Sequence, residues 1–205
     1  QIHYMVNKDL GFDKEQLLVI RRMEALSRKI PAFKQEIAKI PGVVSSTNST
    51  AIPGYPNNNN GFQIEGRSAE QAALMQVNWV DYDYMKTYKI PLVSGRAFDR
   101  EFPSDSTMMI INEEAVRRFA LTDPYTTRFI EPGRTMEERR MHDVLGVSKN
   151  FHFQSLRMTI DPHVFMMKPV WWDWPGYLTI RLSADTTKGT NDVMHNTRKA
   201  VTGDH

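Results

Sequence analysis

The chain has 205 residues, 40% of them hydrophobic and 10% aromatic, which supports a folded core and excludes a disordered chain. The net charge is only +2, a field too weak to favour nucleic acid as a partner. There is no cysteine, which excludes disulfides, thiolate zinc sites and cysteine nucleophiles without fixing the compartment.

No run of about 18 apolar residues is present to span a membrane, and no signal peptide is present. The sequence starts at Gln1 without methionine and reads as an excised segment. Its length suits one large domain or two small lobes.

Gln1–Asn7 is amphipathic and too short to fold alone; it reads as the end of a longer helix. A turn around Gly11 leads to a short apolar strand, Leu17–Ile20. Leu26, Ile30, Phe33, Ile37 and Ile40 then recur at alternating spacings of four and three, one face of a helix. Ser27 is its expected N-cap, Pro31 falls in the first turn, and Pro41-Gly42 stops it. Val43–Thr50 is β-like, so Leu17–Thr50 forms one β-α-β unit.

Ala51–Gly61, with two prolines and the run Asn57–Asn60, reads as a loop with a polar tip. Phe62–Gly66 and Leu74–Val80 are strands, and tyrosine-rich Asp81–Lys89 is a short helix or turn. Gly95–Phe102 is an irregular polar loop, followed by a buried strand at Met108–Ile111. Asn112 caps a helix over Glu113–Phe119, whose acidic start suits the positive end of the helix dipole. Arg134–Arg140 is a charged run, an exposed hairpin or short helix.

The stretch on which the rest is organised is Asp143–Arg157, DVLGVSKNFHFQSLR. It opens as a buried-type strand, alternates through Phe151-His152-Phe153 and closes in a polar turn at Gln154-Ser155. Val164–Met167 is another strand, Trp171–Gly176 a tryptophan-rich turn, and Tyr177–Leu182 an alternating half-buried strand. Thr187–Val201 is a weak final helix. The order β-α-β, mixed middle, β-α predicts an α+β fold: a split β-α-β sandwich with an inserted lobe.

Seven stretches resemble, in family order, the extracytoplasmic domain of MacB-like and FtsX-like ABC-transporter permeases, especially the Bacteroidetes type. They are Asn7–Phe12, Ile40–Val43, Pro53-Gly54, Ser94–Phe98, Ile111–Val116, Leu121–Pro124 and Val147–Leu156. Two departures are visible. The family's Asp-Pro-Ile-Gly turn is Asp123-Pro124-Tyr125-Thr126 here, and Asn150 stands where an aspartate is frequent.

The resemblance implies two lobes. Residues 13–60 and 164–205 would form a β-α-β porter-like lobe. Residues 61–163 would form an inserted mixed α/β lobe of the sabre type, and residues 1–12 would extend a membrane helix. It also implies a periplasmic domain of the inner membrane, in a permease that couples cytoplasmic ATP hydrolysis to movement of periplasmic partners or substrates. The implied partners are a second permease subunit, a cytoplasmic ATP-binding subunit, and a periplasmic adaptor or lipoprotein. The excised domain is expected to be monomeric and non-enzymatic, with no cofactor.

Among candidate contact residues, Trp171, Trp172 and Trp174 with Tyr177 are the most unusual cluster, either a partner surface or a cap on the core. Asn58 and Asn59 at the polar loop tip are the second candidate.

No catalytic or metal constellation is legible. His142, His152 and His163 lack zinc-site spacing and read as structural or surface residues. Asp81 and Asp83 lack a calcium loop and read as a helix start. Ser155 near His152 has no nucleophile elbow. Asn48-Ser49-Thr50 is a chance sequon, and Glu137–Arg140 is a solvated face. The alternative to a permease domain is a free-standing periplasmic ligand- or peptide-binding module. It would use a cleft lined by Trp171, Trp174 and Tyr177. A metal-dependent hydrolase comes third.

Overall fold

The structure, a computed structural model, describes residues 15–21, 29–55, 57–133, 135, 137–151, 159–167, 176–184 and 195. Along the chain the elements are β1 (Leu17–Ile20), α1 (Ile30–Ile37), β2 (Val43–Ser49), β3 (Asn59–Ile64), β4 (Ala73–Val80), α2 (Tyr84–Tyr88) and β5 (Leu92–Gly95). Then come β6 (Met109–Asn112), α3 (Glu113–Arg118), β7 (Arg128–Glu131), β8 (Arg140–Ser148), β9 (His163–Met167) and β10 (Tyr177–Leu182).

The β-α-β unit is split. β10 lies between β1 and β2, antiparallel to both, with Leu18 opposite Ile180 and Thr47 opposite Thr179. β1 and β2 are therefore parallel to each other, one strand apart. On one face of this sheet Leu18, Leu178, Ile180 and Leu182 pack against Ile30, Phe33 and Ile37 of α1. Eight residues are too few for a helix stable on propensity alone. Each fully buried Leu, Ile or Phe contributes roughly 1.5–3 kcal/mol, so this contact holds α1 in place.

The helix is shorter than its periodicity predicts. It ends at Ile37, and Ile40 is half-buried in the turn that Gly42, at φ 89°, completes before β2. Pro31 sits in the first turn, and Lys29 occupies the N-cap without a side-chain bond. Leu26 and the expected cap Ser27 lie outside the described residues.

The remaining sheet closes on itself. β3 pairs with β4, β4 with β9, β9 with β6, β6 with β8, β8 with β7, and β7 returns to β3. The six strands form a ring, and strand alternation fills its inside. Phe62, Ile64, Met75, Val77, Met109, Ile111, Phe129, Val144, Val164 and Met166 make one buried cluster, with Ala115 and Leu121 from α3 and the turn after it. The intervening residues of the same strands, Val80, Ile110, Leu145, Phe165 and Met167, face outward into a second cluster with Tyr84, Met85 and Tyr88 of α2. Apolar runs such as Val164–Met167 are continuous because both faces of β9 are covered.

The ring meets the β-α-β sheet along a narrow seam. β2 and β4 share one paired position, Ser49 opposite Val80. Backbone bonds from Thr50 N to the Trp79 carbonyl (2.9 Å) and from Asp81 N to the Asn48 carbonyl (3.1 Å) flank it.

The strands differ from the sequence reading at β3, β5 and β7. Asn59 and Asn60, expected in a loop, begin β3 because they lie opposite Gln76 and Met75 of β4; tertiary pairing overrides the low strand propensity of asparagine. β5 and β7 were not expected as strands. β5 is mostly exposed and irregular between Leu92 and Ser94, and β7 buries one side chain, Phe129, so neither carries an apolar pattern. β7 and β8 form an antiparallel hairpin, with Glu131 opposite Arg140 at the end of the charged run. The predicted helix over Thr187–Val201 lies outside the described residues.

Candidate functional site

The feature that most distinguishes this molecule is the joint between its two parts, built around α2. The helix has five residues, and four of them, Tyr84, Met85, Thr87 and Tyr88, are buried. It ends at Lys89, whose left-handed backbone (φ 50°, ψ 44°) turns the chain out. It is sandwiched between the outer face of the ring and the β-α-β sheet face opposite α1.

That sheet face is mixed: Leu17 of β1 packs into the cluster that holds Tyr84, Met85 and Tyr88, and polar groups lie beside it. Thr47, Thr179 and Arg181 share the face by register and are all buried. Burying polar groups is costly unless they are paired, and here α2 supplies partners. The Tyr88 hydroxyl and Thr179 Oγ1 are hydrogen-bonded at 2.7 Å. Arg181 Nε donates to the Thr87 carbonyl at 2.6 Å, and an Arg181 terminal nitrogen donates to the Glu15 carbonyl at 3.0 Å. Thr87 lies in the last turn of α2, where carbonyls have no partner within the helix.

Asn78 of β4 is completely buried and bonded on both ends. Its Nδ2 donates to the Ala51 carbonyl (3.1 Å) and the Tyr84 hydroxyl (2.9 Å), and its Oδ1 accepts from Ala51 N at 3.1 Å. Burial pushes the Tyr84 and Tyr88 phenols well up from their ordinary values, so both stay protonated.

An ion-pair set closes the rim. Asp81 accepts from Asn48 N (2.9 Å), Thr47 Oγ1 (2.6 Å) and the Lys34 ammonium of α1. Lys34 also reaches Asp83 at 2.9 Å, and Arg100 binds the same carboxylate through both terminal nitrogens at 2.6 and 3.2 Å. Burial pushes the Asp83 carboxyl up, but bonding to Arg100 and Lys34 outweighs it and holds the group below its ordinary value. The aspartates are thus tied up by cations and amides, as the helix-start reading expects.

The other sequence candidates separate. Trp171, Trp172 and Trp174 lie outside the described residues. Tyr177 is half-buried at the start of β10. Its carbonyl accepts from Asn48 Nδ2 at 3.0 Å, and the Arg21 guanidinium stands 6.0 Å from its ring. Asn58 and Asn59 are exposed beside β4, and the Asn58 carbonyl accepts from Val77 N at 2.9 Å. Tyr177 thus belongs to the β-α-β unit and the asparagines to the ring.

His142 is buried, with Nδ1 2.8 Å from the Thr107 carbonyl and Nε2 3.3 Å from Glu131 Oε2. His163 is buried between the rings of Phe151 and Phe165. Both are structural; His152 and Ser155 lie outside the described residues. The Asn48 sequon is buried in a sheet. Asn150, at the position where the resembled family often has an aspartate, bonds to the start of α3. Its Oδ1 accepts from Glu114 N at 2.9 Å, and its own N–H donates to Glu113 Oε2 at 2.8 Å. In the altered turn, Asp123 Oδ1 caps Tyr125 N at 2.9 Å, and the Tyr125 hydroxyl bonds Ser94 at 2.6 Å. Among the described residues no three His, Asp or Glu side chains converge as a metal site, and no helix is long and apolar enough to cross a membrane.

Sequence reasoning missed the joint. Its signal was Thr179 and Arg181 on one face of an otherwise apolar strand, read as half-buried, when that face is covered by a tyrosine-rich helix.

No family model and no curated protein matches the chain. Solved structures do. The periplasmic region of MacB from Actinobacillus actinomycetemcomitans superposes with a TM-score of 0.61 at 14% identity, covering 94% of this chain and 86% of that one. The extracellular domain of the noncanonic ABC-type transporter YknZ from Gram-positive bacteria gives 0.54 at 14% identity, covering 86% of each chain. A domain of a protein assigned as a permease from Porphyromonas gingivalis gives 0.57 at 17% identity, covering 82% of this chain and 73% of that one. The chain therefore has the α+β fold of extracytoplasmic transporter domains. Within that class its fold is of the MacB type, the one that the seven sequence stretches resemble.

Proposed function

We propose that the chain is the periplasmic domain of a MacB-like ABC-transporter permease, anchored at the inner membrane. In this reading it carries no reaction of its own. It receives movement driven by cytoplasmic ATP hydrolysis and passes it to periplasmic partners or substrates. The observation that carries the reading is the likeness of fold to MacB and YknZ over most of the chain. The buried joint supports it physically, because a domain that relays motion needs its parts coupled, and the joint couples them through several bonded pairs. The second permease subunit and the ATP-binding subunit would hold the complex together, leaving this domain alone a monomer.

The test is to express the complete gene product with a tag. The reading expects it in the inner-membrane fraction, co-purifying with an ATP-binding subunit, with this domain cleaved by protease added to the periplasmic side. Recovery in the soluble fraction without an ATP-binding partner would overturn it. Light scattering of the isolated domain expects the mass of a monomer at micromolar concentration.

A further inference from the structure

The seam between the β-α-β sheet and the strand ring holds one paired position, Ser49 opposite Val80. With the two backbone bonds beside it, Thr50 N to the Trp79 carbonyl and Asp81 N to the Asn48 carbonyl, this is a narrow connection, and two sheets joined only along it would swing about it. The side-chain bonds across the same boundary are more numerous and stronger. Tyr88 bonds Thr179, and Arg181 bonds the Thr87 carbonyl, with all four residues buried. Lys34 on α1 reaches past the sheet edge to Asp83, and Thr47 of β2 bonds Asp81. Charge-assisted bonds in a partly dry setting are about twice as strong as neutral ones. The Tyr84 and Tyr88 rings also pack against each other, tilted, with centroids 4.6 Å apart, and Tyr84 lies 5.4 Å from Phe165 of the ring.

We propose that α2 is a strut that locks the β-α-β unit and the strand ring into one rigid body, with the Lys34, Asp81, Thr87, Tyr88, Thr179 and Arg181 contacts as its fastenings. A displacement applied to the first part is then carried to the second without loss at the seam. The rigidity is a property of this chain; its use in relaying motion rests on the permease reading.

The chain lacks cysteine, so an introduced pair reports cleanly. Gln35 on α1 and Thr122 after α3 are both exposed. Nitroxide labels at Gln35→Cys and Thr122→Cys, read by pulsed dipolar EPR on the purified 205-residue chain, are expected to give one narrow distance. Lys34→Met with Tyr88→Phe removes two fastenings while keeping most side-chain volume, and is expected to widen the distribution at least twofold. A broad distribution in the parent chain, or an unchanged narrow one in the double variant, overturns the proposal. If the double variant does not fold, Tyr88→Phe alone decides by the same widening, since it keeps the ring in place. The measurement needs no transporter, so it can fail while membrane fractionation succeeds, and the reverse.

Discussion

Gly95 of β5 and Gly146 of β8 are register partners, and neither has room for a side chain. A Cβ on Gly95 would overlap the Leu145 carbonyl, and one on Gly146 would lie 2.7 Å from the Arg96 carbonyl. Gly95 also holds φ 72°, a backbone that L side chains resist. Gly95→Ala and Gly146→Ala are each expected to lower stability by about 1–3 kcal/mol. Gly61→Ala in β3, where a Cβ meets nothing within 4 Å, is the control. It should leave stability level or raise it by up to about 1 kcal/mol. Urea denaturation of the three variants checks the order.

Arg181→Met keeps the stem and removes the buried guanidinium. The Thr87 and Glu15 carbonyls would lose this charged donor inside the joint. The expected loss is about 3 kcal/mol, since a hydrogen bond to a charged group contributes roughly 1.5–3 kcal/mol. Lys39→Met removes an ion pair with Glu36 in which both side chains are about 70% exposed, and should change stability by less than about 0.5 kcal/mol. Equal effects of the two substitutions would contradict the buried role of Arg181.

His163 makes folding sensitive to mild acid. Burial pushes its imidazole down to about 3 from an ordinary 6.5. Between those values the unfolded chain binds a proton that the folded chain does not. Stability from this group is therefore complete above the unfolded value and declines as pH falls below it, by about 1.4 kcal/mol per pH unit at most. His163→Phe fits the aromatic surroundings of Phe151 and Phe165 and should flatten the dependence between pH 6 and about 4. Denaturation midpoints taken across that range, parent against variant, give the slope; identical slopes would contradict the assignment.

A second acid-sensitive set acts lower. Bidentate bonding from Arg96, at 2.6 and 2.7 Å, holds the fully buried Asp105 carboxyl below its ordinary 3.8 against the upward push of burial. Arg117 does the same for Glu114, and Arg100 with Lys34 for Asp83. Depressed carboxyls stabilise the fold above their unfolded values and lose that contribution as pH falls through the folded ones, which places this loss below about pH 4. Asp105→Asn should lower stability at neutral pH and lose less between about pH 4 and 2 than the parent does. Thermal unfolding at several acid pH values tests both halves.

Much of the fold was legible where one rule acted alone. The Ile30, Phe33 and Ile37 spacing gave α1, and Asn112 capped α3 as expected, accepting from Ala115 N at 3.0 Å. The stretches Ser94–Phe98 and Val147–Leu156 stood apart in the sequence, and the structure shows why their neighbourhoods belong together: Gly95 and Gly146 are register partners, and each lets the backbone of the other's strand approach closely. Ring closure was not legible, because it depends on β7 and β3 pairing at only Gln63–Ile130 and Ile64–Phe129. The joint was hidden for a different reason. Thr179 and Arg181 look like a solvent face until α2, nearly a hundred positions earlier, is laid over them.

The placement of β10 has a consequence for how the chain assembles. β1 and β2 share no ladder with each other; each pairs with β10, and Asn48 bonds a carbonyl 129 positions downstream. Every pairing of the ring involves residues between 59 and 167, so the ring can close while the amino-terminal strands still wait. The ladders of β1 and β2 with β10 therefore cannot form until residues 177–182 have been made. Such distant pairings are slow to form, and β1 and β2 stay open to wrong partners until residues 177–182 arrive.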